Sequence, residues 1–229
     1  MSTHVNRRIA ILAALPREIA PLIRDWPVHK GSRRDGYLIA ECDRAIAVCA
    51  GMGQKRVTHA FSLALARGPI HSVISVGYGG ALRTGIARGT VHWPATVIDS
   101  RNGKRYACPD GIGTLITVDR ALNAEEKPKM AEQWQADLVD MEAAEVAGLA
   151  SVHDLPFRAL KVVSDEVDDV LPDLNRFVDD RGQFREAAFA GYIAVRPWRA
   201  AAVIRMGRHT AQASQAMAKE LRKVIRGTE

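Results

Sequence analysis

Apolar runs and amphipathic stretches alternate along this chain, and their spacing predicts its secondary structure. Three short apolar runs predict strands that are buried on both faces: 8–14, 71–76 and 157–163. Two further stretches, 37–41 and 45–50, are joined by a polar turn and predict a β-hairpin. Over 55–66 the large apolar residues recur every four positions, which is typical of a helix.

The remaining segments continue this alternation. Strands are predicted at 90–98 and 115–118, and helices at 16–23, 142–152, 183–195 and 198–225. The glycine-rich residues 77–80 predict a loop, and 119–137 is polar and irregular with Pro128 inside it. Strands that alternate with helices predict an α/β fold, in which helices cover both faces of a mainly parallel sheet.

The charge of the chain is concentrated in one segment. Eight basic and two acidic residues lie within 196–229, so this segment carries the whole formal net charge of +6. Residues 1–195 balance to zero, whereas a nucleic-acid-binding domain carries positive charge across its body. No nucleic-acid partner is therefore expected.

Composition excludes several other classes of protein. Of the 229 residues, 47% are hydrophobic and 25% are charged, which is ordinary for a globular domain. No apolar run approaches the roughly 18–20 residues of a membrane span. The three cysteines have neither the number of a disulfide scaffold nor the spacing of a metal site. We therefore expect a cytoplasmic protein that holds no metal ion.

Acidic residues follow the predicted strands at the edge where open α/β sheets bind ligands. Glu18 follows the first strand, Glu142 opens a predicted helix, and Asp165 follows a later strand beside Ser164. A carboxylate can accept hydrogen bonds from two sugar hydroxyls, and a carboxylic acid can protonate a base. Each residue also has a purely structural interpretation. A helix N-terminus favours Glu18 and Glu142, while Ser164 and Asp165 are typical helix-capping residues.

The sequence Gly-Tyr-Gly-Gly at 77–80 is a second candidate binding element. Glycine allows backbone N–H groups to approach a phosphate or a sugar, which makes Gly77, Tyr78 and Gly79 candidate binding residues. The pattern matches neither the Walker phosphate loop nor the dinucleotide-binding fingerprint. A plain tight turn explains it equally well.

Together these segments resemble a known enzyme family. Five segments occur in the order found in the superfamily of nucleoside phosphorylases and methylthioadenosine/S-adenosylhomocysteine nucleosidases: 9–18, 75–82, 89–94, 139–143 and 163–165. Residues 195–198 and the helix after them are similar to the subgroup associated with hopanoid biosynthesis. The resemblance implies a single-domain three-layer α/β fold over 1–229, with a mixed, mainly parallel central sheet, in a homodimer or larger oligomer.

The resemblance also implies a reaction, in which the N-glycosidic bond of an adenosyl compound is cleaved and adenine is released. It assigns Asp165 to protonate N7 of the leaving adenine, with Ser164 orienting it. Glu142 would hold the ribose 2′- and 3′-hydroxyls, Met141 would pack on the sugar, and Glu18 would orient or deprotonate water. In the hopanoid subgroup the implied substrate is adenosylhopane, and the product is ribosyl- or phosphoribosylhopane.

The nucleophile stays open between water and inorganic phosphate, which would be a co-substrate; no other cofactor is expected. Glu18 favours water, whereas the hopanoid subgroup favours phosphate. Tyr78 stands where the family often carries a Ser or Thr that holds the nucleophile. Arg56 and Arg83 are the candidates to bind phosphate.

The contact to the base is also open. The family's stacking aromatic is missing from 119–122, so Tyr106 or Trp134 is expected in its place. The alternative functions are a methylthioadenosine/S-adenosylhomocysteine nucleosidase, a purine nucleoside phosphorylase, and a module that binds purine nucleosides without catalysis.

The helix predicted over 198–226 is amphipathic, with a basic sector beside an apolar one. One interpretation packs its apolar stripe on the sheet and leaves the basic face in solvent. The other places the helix on an anionic membrane surface, since a hopanoid substrate would reside in a bilayer. The second interpretation implies peripheral contact with the inner membrane and a lipid-linked substrate.

Overall fold

The computed structural model describes residues 8–29, 36–49, 51–169, 177, 185, 188, 191–192 and 197–227. Its strands are β1 (Arg8–Ala13), β2 (Leu38–Cys42), β3 (Ala45–Cys49), β4 (Ile70–Ala81), β5 (Val91–His92), β6 (Thr96–Asp99), β7 (Arg105–Ala107), β8 (Thr114–Thr117), β9 (Leu138–Asp140) and β10 (Phe157–Asp165). Its helices are α1 (Pro16–Ile19), α2 (Gln54–Ala66), α3 (Glu126–Trp134), α4 (Ala143–Val152) and α5 (Pro197–Arg226). Most of the helix predicted at 183–195 lies outside the described residues.

The ten described strands form one mixed sheet. Its order is β2-β3-β1-β4-β9-β8-β6-β7, and β10 pairs with both β4 and β5. Most inner pairs are parallel: β1 with β3 and β4, β4 with β10, and β8 with β6 and β9, whereas β4 and β9 are antiparallel. The predicted hairpin is confirmed as the antiparallel pair of β2 and β3. The predicted mixed, mainly parallel sheet is therefore confirmed.

Helices cover both faces of this sheet because the side chains of its strands alternate between two cores. Ala10 and Leu12 of β1 belong to one hydrophobic cluster, which also contains buried residues of α2 and α4. Ile9 and Ile11 belong to a second cluster, on the side of α1 and α5. The predicted three-layer arrangement is confirmed.

Two predicted elements differ in the structure because of prolines. The strand predicted at 90–98 is two strands, β5 and β6, with Pro94 between them; proline cannot donate to a sheet ladder. The irregular stretch at 119–137 contains α3, and Pro128 occupies its first turn, where the missing N–H removes no helical bond. Asn123 Oδ1 accepts the backbone N–H groups of Glu125 and Glu126, which fixes the start of this helix.

The glycine segment differs as well. Residues 77–80 were expected to form a loop, but they continue β4, which is twelve residues long. This end of β4 pairs with β10, and its last residues pair with β9. The glycines therefore lie inside the sheet, between two neighbouring strands.

Helix α5 packs through its described side chains on the second core. Ala213, Met217, Ala218 and Leu221 are buried, whereas Lys219, Lys223 and Arg226 are exposed. Over 210–226 the apolar stripe of this helix therefore packs on the sheet, as the first of the two interpretations predicts. Within the described residues, no helix is both long enough and apolar enough to cross a membrane.

Candidate functional site

A cavity of about 560 Å³ opens where β1, β4, β9 and β10 end, and its size is typical of sites for small organic molecules. The acidic residues Glu18, Glu142 and Asp165 all line it, together with Asp140. Tyr78, Gly79, Met141 and Ser164 line it too. The structure therefore brings almost all predicted site residues to one place.

Glu18 is held by the backbone around it. It lies in the short helix α1, directly after β1, and its side chain turns back towards the end of that strand. Its Oε2 accepts the N–H groups of Ala14 at 3.0 Å and Leu15 at 2.8 Å, and Oε1 lies 3.4 Å from the Tyr78 nitrogen. The residue is only 4% exposed, and this burial raises the pKa of Glu18. A buried carboxylate with a raised pKa is suited to accept a proton from water.

The glycines of β4 make room for carboxylates. A β-carbon at Gly77 would lie 3.0 Å from Glu18 Oε1, and one at Gly80 would lie 2.9 Å from Asp165 Oδ2. Gly77 does not line the cavity but lies behind Glu18. The segment predicted as a loop is therefore part of a strand, and two acidic side chains pack against its glycines.

Glu142 occupies the position that precedes α4. Burial, and then the negative charge of Asp140, raise the pKa of Glu142 to about 8. The Lys161 ammonium and the Gly53 backbone N–H act in the opposite direction. A half-buried carboxyl with this pKa can both donate and accept hydrogen bonds at neutral pH, so it can bind polar groups such as hydroxyls.

A buried lysine supports this acidic group, and the sequence analysis missed it. Lys161 Nζ lies 2.8 Å from Asp140 Oδ2, and Asp140 also accepts the Thr117 hydroxyl at 2.6 Å and the Ala143 N–H at 2.9 Å. Although burial opposes its charge, the carboxylates of Asp140 and Glu142 raise the pKa of Lys161. A fixed positive charge therefore lies beside the cavity.

Asp165 is the last residue of β10 and is buried. The Ser164 hydroxyl lies 3.2 Å from the Gly79 carbonyl oxygen and within hydrogen-bond distance of Asp165 Oδ1, so it can orient this carboxyl. Lys127 Nζ donates to Asp165 Oδ2 at 2.6 Å. The sequence did not indicate Lys127, because the segment around it lacks the apolar periodicity of a helix.

Tyr78 connects the cavity to α5. Its hydroxyl lies 2.6 Å from Ser214 Oγ, and burial raises the pKa of Tyr78 to about 12, so the phenol stays neutral. Among the described residues, Tyr78 is the only aromatic that lines the cavity. This strand residue therefore ties the helix to the sheet.

The residues expected to stack on the base lie elsewhere. The Tyr106 hydroxyl packs against Gly148 of α4, and the Trp134 ring packs near Gly103; neither lines the cavity. This expectation is wrong for the cavity described here. The cavity lining instead includes an aliphatic cluster, with Val118, Leu122 and Val139.

The two arginines considered for phosphate binding also lie outside the cavity lining. Arg56 donates to the Tyr37 hydroxyl at 2.9 Å, and Arg83 pairs with Asp137 at 3.1 Å. The cations that line the cavity, within the part of the chain described, are Arg17, Arg120 and Lys127.

Comparisons with known proteins agree with this architecture. A family model described as the Phosphorylase superfamily matches residues 8–113 and 102–193. The structure of Helicobacter pylori futalosine hydrolase matches with a TM-score of 0.70 and 16% identity, over 97% of this chain and 98% of that one. No match was found among curated proteins.

Two nucleosidase structures are similar as well. The Helicobacter pylori 5′-methylthioadenosine/S-adenosylhomocysteine nucleosidase matches with a TM-score of 0.71 and 15% identity, over 98% of this chain and 100% of that one. The Arabidopsis thaliana 5′-methylthioadenosine nucleosidase matches with a TM-score of 0.67 and 18% identity, over 98% of both chains. At these identities the likeness shows a shared fold.

Proposed function

Since this chain belongs to the Phosphorylase superfamily, we propose that it is an enzyme that cleaves the N-glycosidic bond of an adenosyl compound and releases adenine. The observation that carries the proposal is the meeting of Glu18, Glu142 and Asp165 in one cavity. They come from three distant parts of the sequence, and burial raises the pKa of both Glu18 and Glu142. Acidic groups with separate environments can divide acid and base roles between them.

We propose for each carboxyl the role that the family resemblance implies at its position. Asp165, oriented by Ser164, is the group that delivers a proton to N7 of the base, which departs poorly as an anion. Glu142 holds the two ribose hydroxyls, with Met141 beside it. Glu18, at the other end of the glycine segment, is the group that activates the nucleophile. Departure of the base leaves positive charge on the sugar, as in glycoside hydrolysis generally.

We propose water as the nucleophile. Glu18 has a raised pKa and is held by backbone N–H groups, which suits a base that deprotonates water. A phosphate would need cations beside the sugar. In the part of the chain that the structure describes, three cations line the cavity: Arg17, Arg120 and Lys127. Arg120 already pairs with Glu126 at 2.6 Å, and Lys127 already pairs with Asp165.

For the rest of the substrate we propose an apolar 5′ substituent, with adenosylhopane as the specific candidate. Leu15, Ala20 and Pro21 from the region of α1, and Ala211 from α5, supply apolar lining on the side of the cavity closed by these helices. Contact with such a wall would remove the apolar surface of a large 5′ substituent from water, which favours binding. This substrate would also require the protein to approach a bilayer through α5, at the inner membrane surface.

A panel of nucleosides tests the proposal. The full chain is incubated with adenosylhopane, methylthioadenosine and inosine, each with and without inorganic phosphate, and the released base and sugar are identified by chromatography. We expect adenine release without phosphate, and free ribosyl product. Release only with phosphate would overturn water as the nucleophile, and preference for methylthioadenosine would favour a methylthioadenosine/S-adenosylhomocysteine nucleosidase.

Variants link that activity to the cavity. Asp165→Asn should lower adenine release by about 10²- to 10⁴-fold, whereas Asp154→Asn, at an exposed position, should leave it unchanged. Glu142→Gln should reduce the preference for ribosides over 2′-deoxyribosides. A loss below tenfold in Asp165→Asn, or no base release from any nucleoside by the unmodified chain, would contradict the proposed enzyme.

A further inference from the structure

The ion pair between Lys127 and Asp165 is an unexpected feature of the cavity. Lys127 is only 1% exposed, and its ammonium also donates to the Glu166 carbonyl oxygen at 2.5 Å. Both partners line the cavity, so the pair lies between the cavity and the protein interior. Few lysines are buried in this way unless a partner compensates for the lost hydration.

This pair changes what Asp165 can do. An ionised carboxylate only accepts hydrogen bonds, and Asp165 Oδ2 accepts one from the Lys127 ammonium at 2.6 Å. A proton donor for the leaving base must nevertheless carry a proton. In this site the available proton is on Lys127 Nζ.

We propose that Lys127 supplies the proton that the leaving base takes up, and that Asp165 passes it on. The inference rests on the proposed function. As the C1′–N9 bond breaks, its electron pair moves onto the purine, and N7 takes a proton from Asp165. Asp165 takes a proton from Lys127 Nζ, which becomes a neutral amine. Solvent returns the proton to Nζ after the base has left.

Two features of the site bear on this transfer. The step leaves the Asp165 carboxylate without its ammonium partner, so the return of the proton to Nζ from solvent restores the ion pair and completes the cycle. The carbonyl oxygen of Glu166 keeps Nζ in place whether or not it is charged. Lys127 thus acts through Asp165, and it sets the highest pH at which Asp165 can still deliver a proton.

Other charged groups face the pair but are already engaged. Asp169 lies near Lys127; against the effect of burial, the Glu166 N–H and Arg88 lower the pKa of Asp169. Arg120 lines the cavity next to α3, and its guanidinium and the Asn123 N–H lower the pKa of Glu126 to about 2. These two carboxylates stay ionised from pH 5 to 10, so neither should produce an alkaline limb. Glu142 also lines the cavity, and burial raises the pKa of Glu142 to about 8, so it titrates within this range in every variant. The test therefore reads the displacement of the alkaline limb between variants.

The pH dependence of adenine release tests the proposal. The kcat/KM for methylthioadenosine is measured from pH 5 to 10 in the unmodified chain, Lys127→Met, Lys127→Arg and Lys129→Met, an exposed neighbour. In Lys127→Met, Asp165 must carry its own proton, so the alkaline limb of this variant should lie at a lower pH than that of the unmodified chain. In Lys127→Arg the charge remains, but guanidinium does not give up its proton, so activity should fall at least about tenfold at every pH.

A second substrate separates proton supply from structural damage. 4-Nitrophenyl β-D-riboside has a leaving group that needs no proton, so Lys127→Met should cleave it at least one third as fast as the unmodified chain at pH 8. A loss in Lys127→Met that is equal at all pH values, or equal for both substrates, would overturn the proposal. Full activity in Lys127→Arg would overturn it as well. An unmodified chain that releases no base would instead show that the proposed function fails.

Discussion

Lys161 Nζ lies 2.8 Å from Asp140 Oδ2, and the two side chains are 1% and 0% exposed. Each charge is tolerated in the interior because of the other, and removal of one partner leaves an uncompensated buried charge. We expect Lys161→Met to lower the free energy of unfolding by about 3–5 kcal/mol. Chemical denaturation measures this loss, with exposed Lys55→Met as the control. A loss below about 1 kcal/mol would show that the pair contributes little to stability.

The raised pKa of Glu142 predicts a pH-dependent stability. The unfolded chain releases this proton near pH 4.5, whereas the folded chain holds it to about pH 8. Folding therefore takes up a proton between these values, and the contribution of Glu142 to stability falls as the pH rises through this window. Glu142→Gln should remove the decline, so the variant gains several degrees in Tm relative to the unmodified chain between pH 5 and pH 9.

Thermal unfolding at four pH values across this window checks that expectation. Glu132→Gln, at an exposed position of α3, is the matched control and should keep the original pH dependence. Parallel curves for the unmodified chain and Glu142→Gln would mean that burial does not raise this pKa.

The raised pKa of Glu18 predicts how activity falls at acidic pH. A base must be ionised to act, and burial raises the pKa of Glu18 above the ordinary 4.5. Activity should therefore be lost, as the pH falls, at a higher pH than an exposed glutamate would give. Glu18→Gln should lower kcat by about 10²- to 10⁴-fold with little change in KM, and the acidic limb should disappear.

The comparison variant is Glu132→Gln, which should retain both kcat and the acidic limb. If Glu18→Gln raised KM while kcat stayed the same, Glu18 would bind substrate rather than activate the nucleophile.

The exposed basic residues of α5 predict that the protein binds to anionic membrane surfaces. Each Lys or Arg near an anionic bilayer contributes about 1 kcal/mol, so changing Lys219, Lys223 and Arg226 to Gln should weaken binding to anionic vesicles about 100-fold. Co-sedimentation at low salt with anionic and neutral vesicles measures this. Arg222 is left unchanged because its guanidinium donates to the Pro21 carbonyl oxygen.

A charge-matched control removes three exposed basic residues elsewhere, Lys55, Lys129 and Arg105. Equal loss in both triple variants would indicate non-specific attraction, and no binding of the unmodified chain would leave α5 as a packing helix only.

The acidic half of the site was predictable because it depends on strand ends. Apolar runs mark where β1 and β10 lie, and the residues just after such runs meet at one edge of a parallel sheet. Glu18, Glu142 and Asp165 could be placed in one cavity on that basis. The prediction of a glycine loop was wrong because a run of glycines is typical of a turn. Here the glycines lie in a strand and make space for two carboxylates, which the sequence pattern does not reveal.

The basic half was not predictable from the sequence. Lys161 stands inside an apolar run, where a single lysine is usually solvated at a strand edge rather than buried. Lys127 lies in a polar stretch with a proline beside it, which gives no helical periodicity. Their roles depend on which carboxylate each one reaches across the sheet, and sequence spacing carries no information about that.

The hydrogen bond between Tyr78 and Ser214 has a consequence for the order in which parts of the protein fold during synthesis. Glu18, Glu142 and Asp165 all leave the ribosome before α5, but Thr210, Ala211, Ser214 and Gln215 complete the cavity wall. A nascent chain can therefore assemble its sheet while this side of the cavity is still open to water. Closure of this side of the cavity waits until α5 docks on the strand that carries Tyr78.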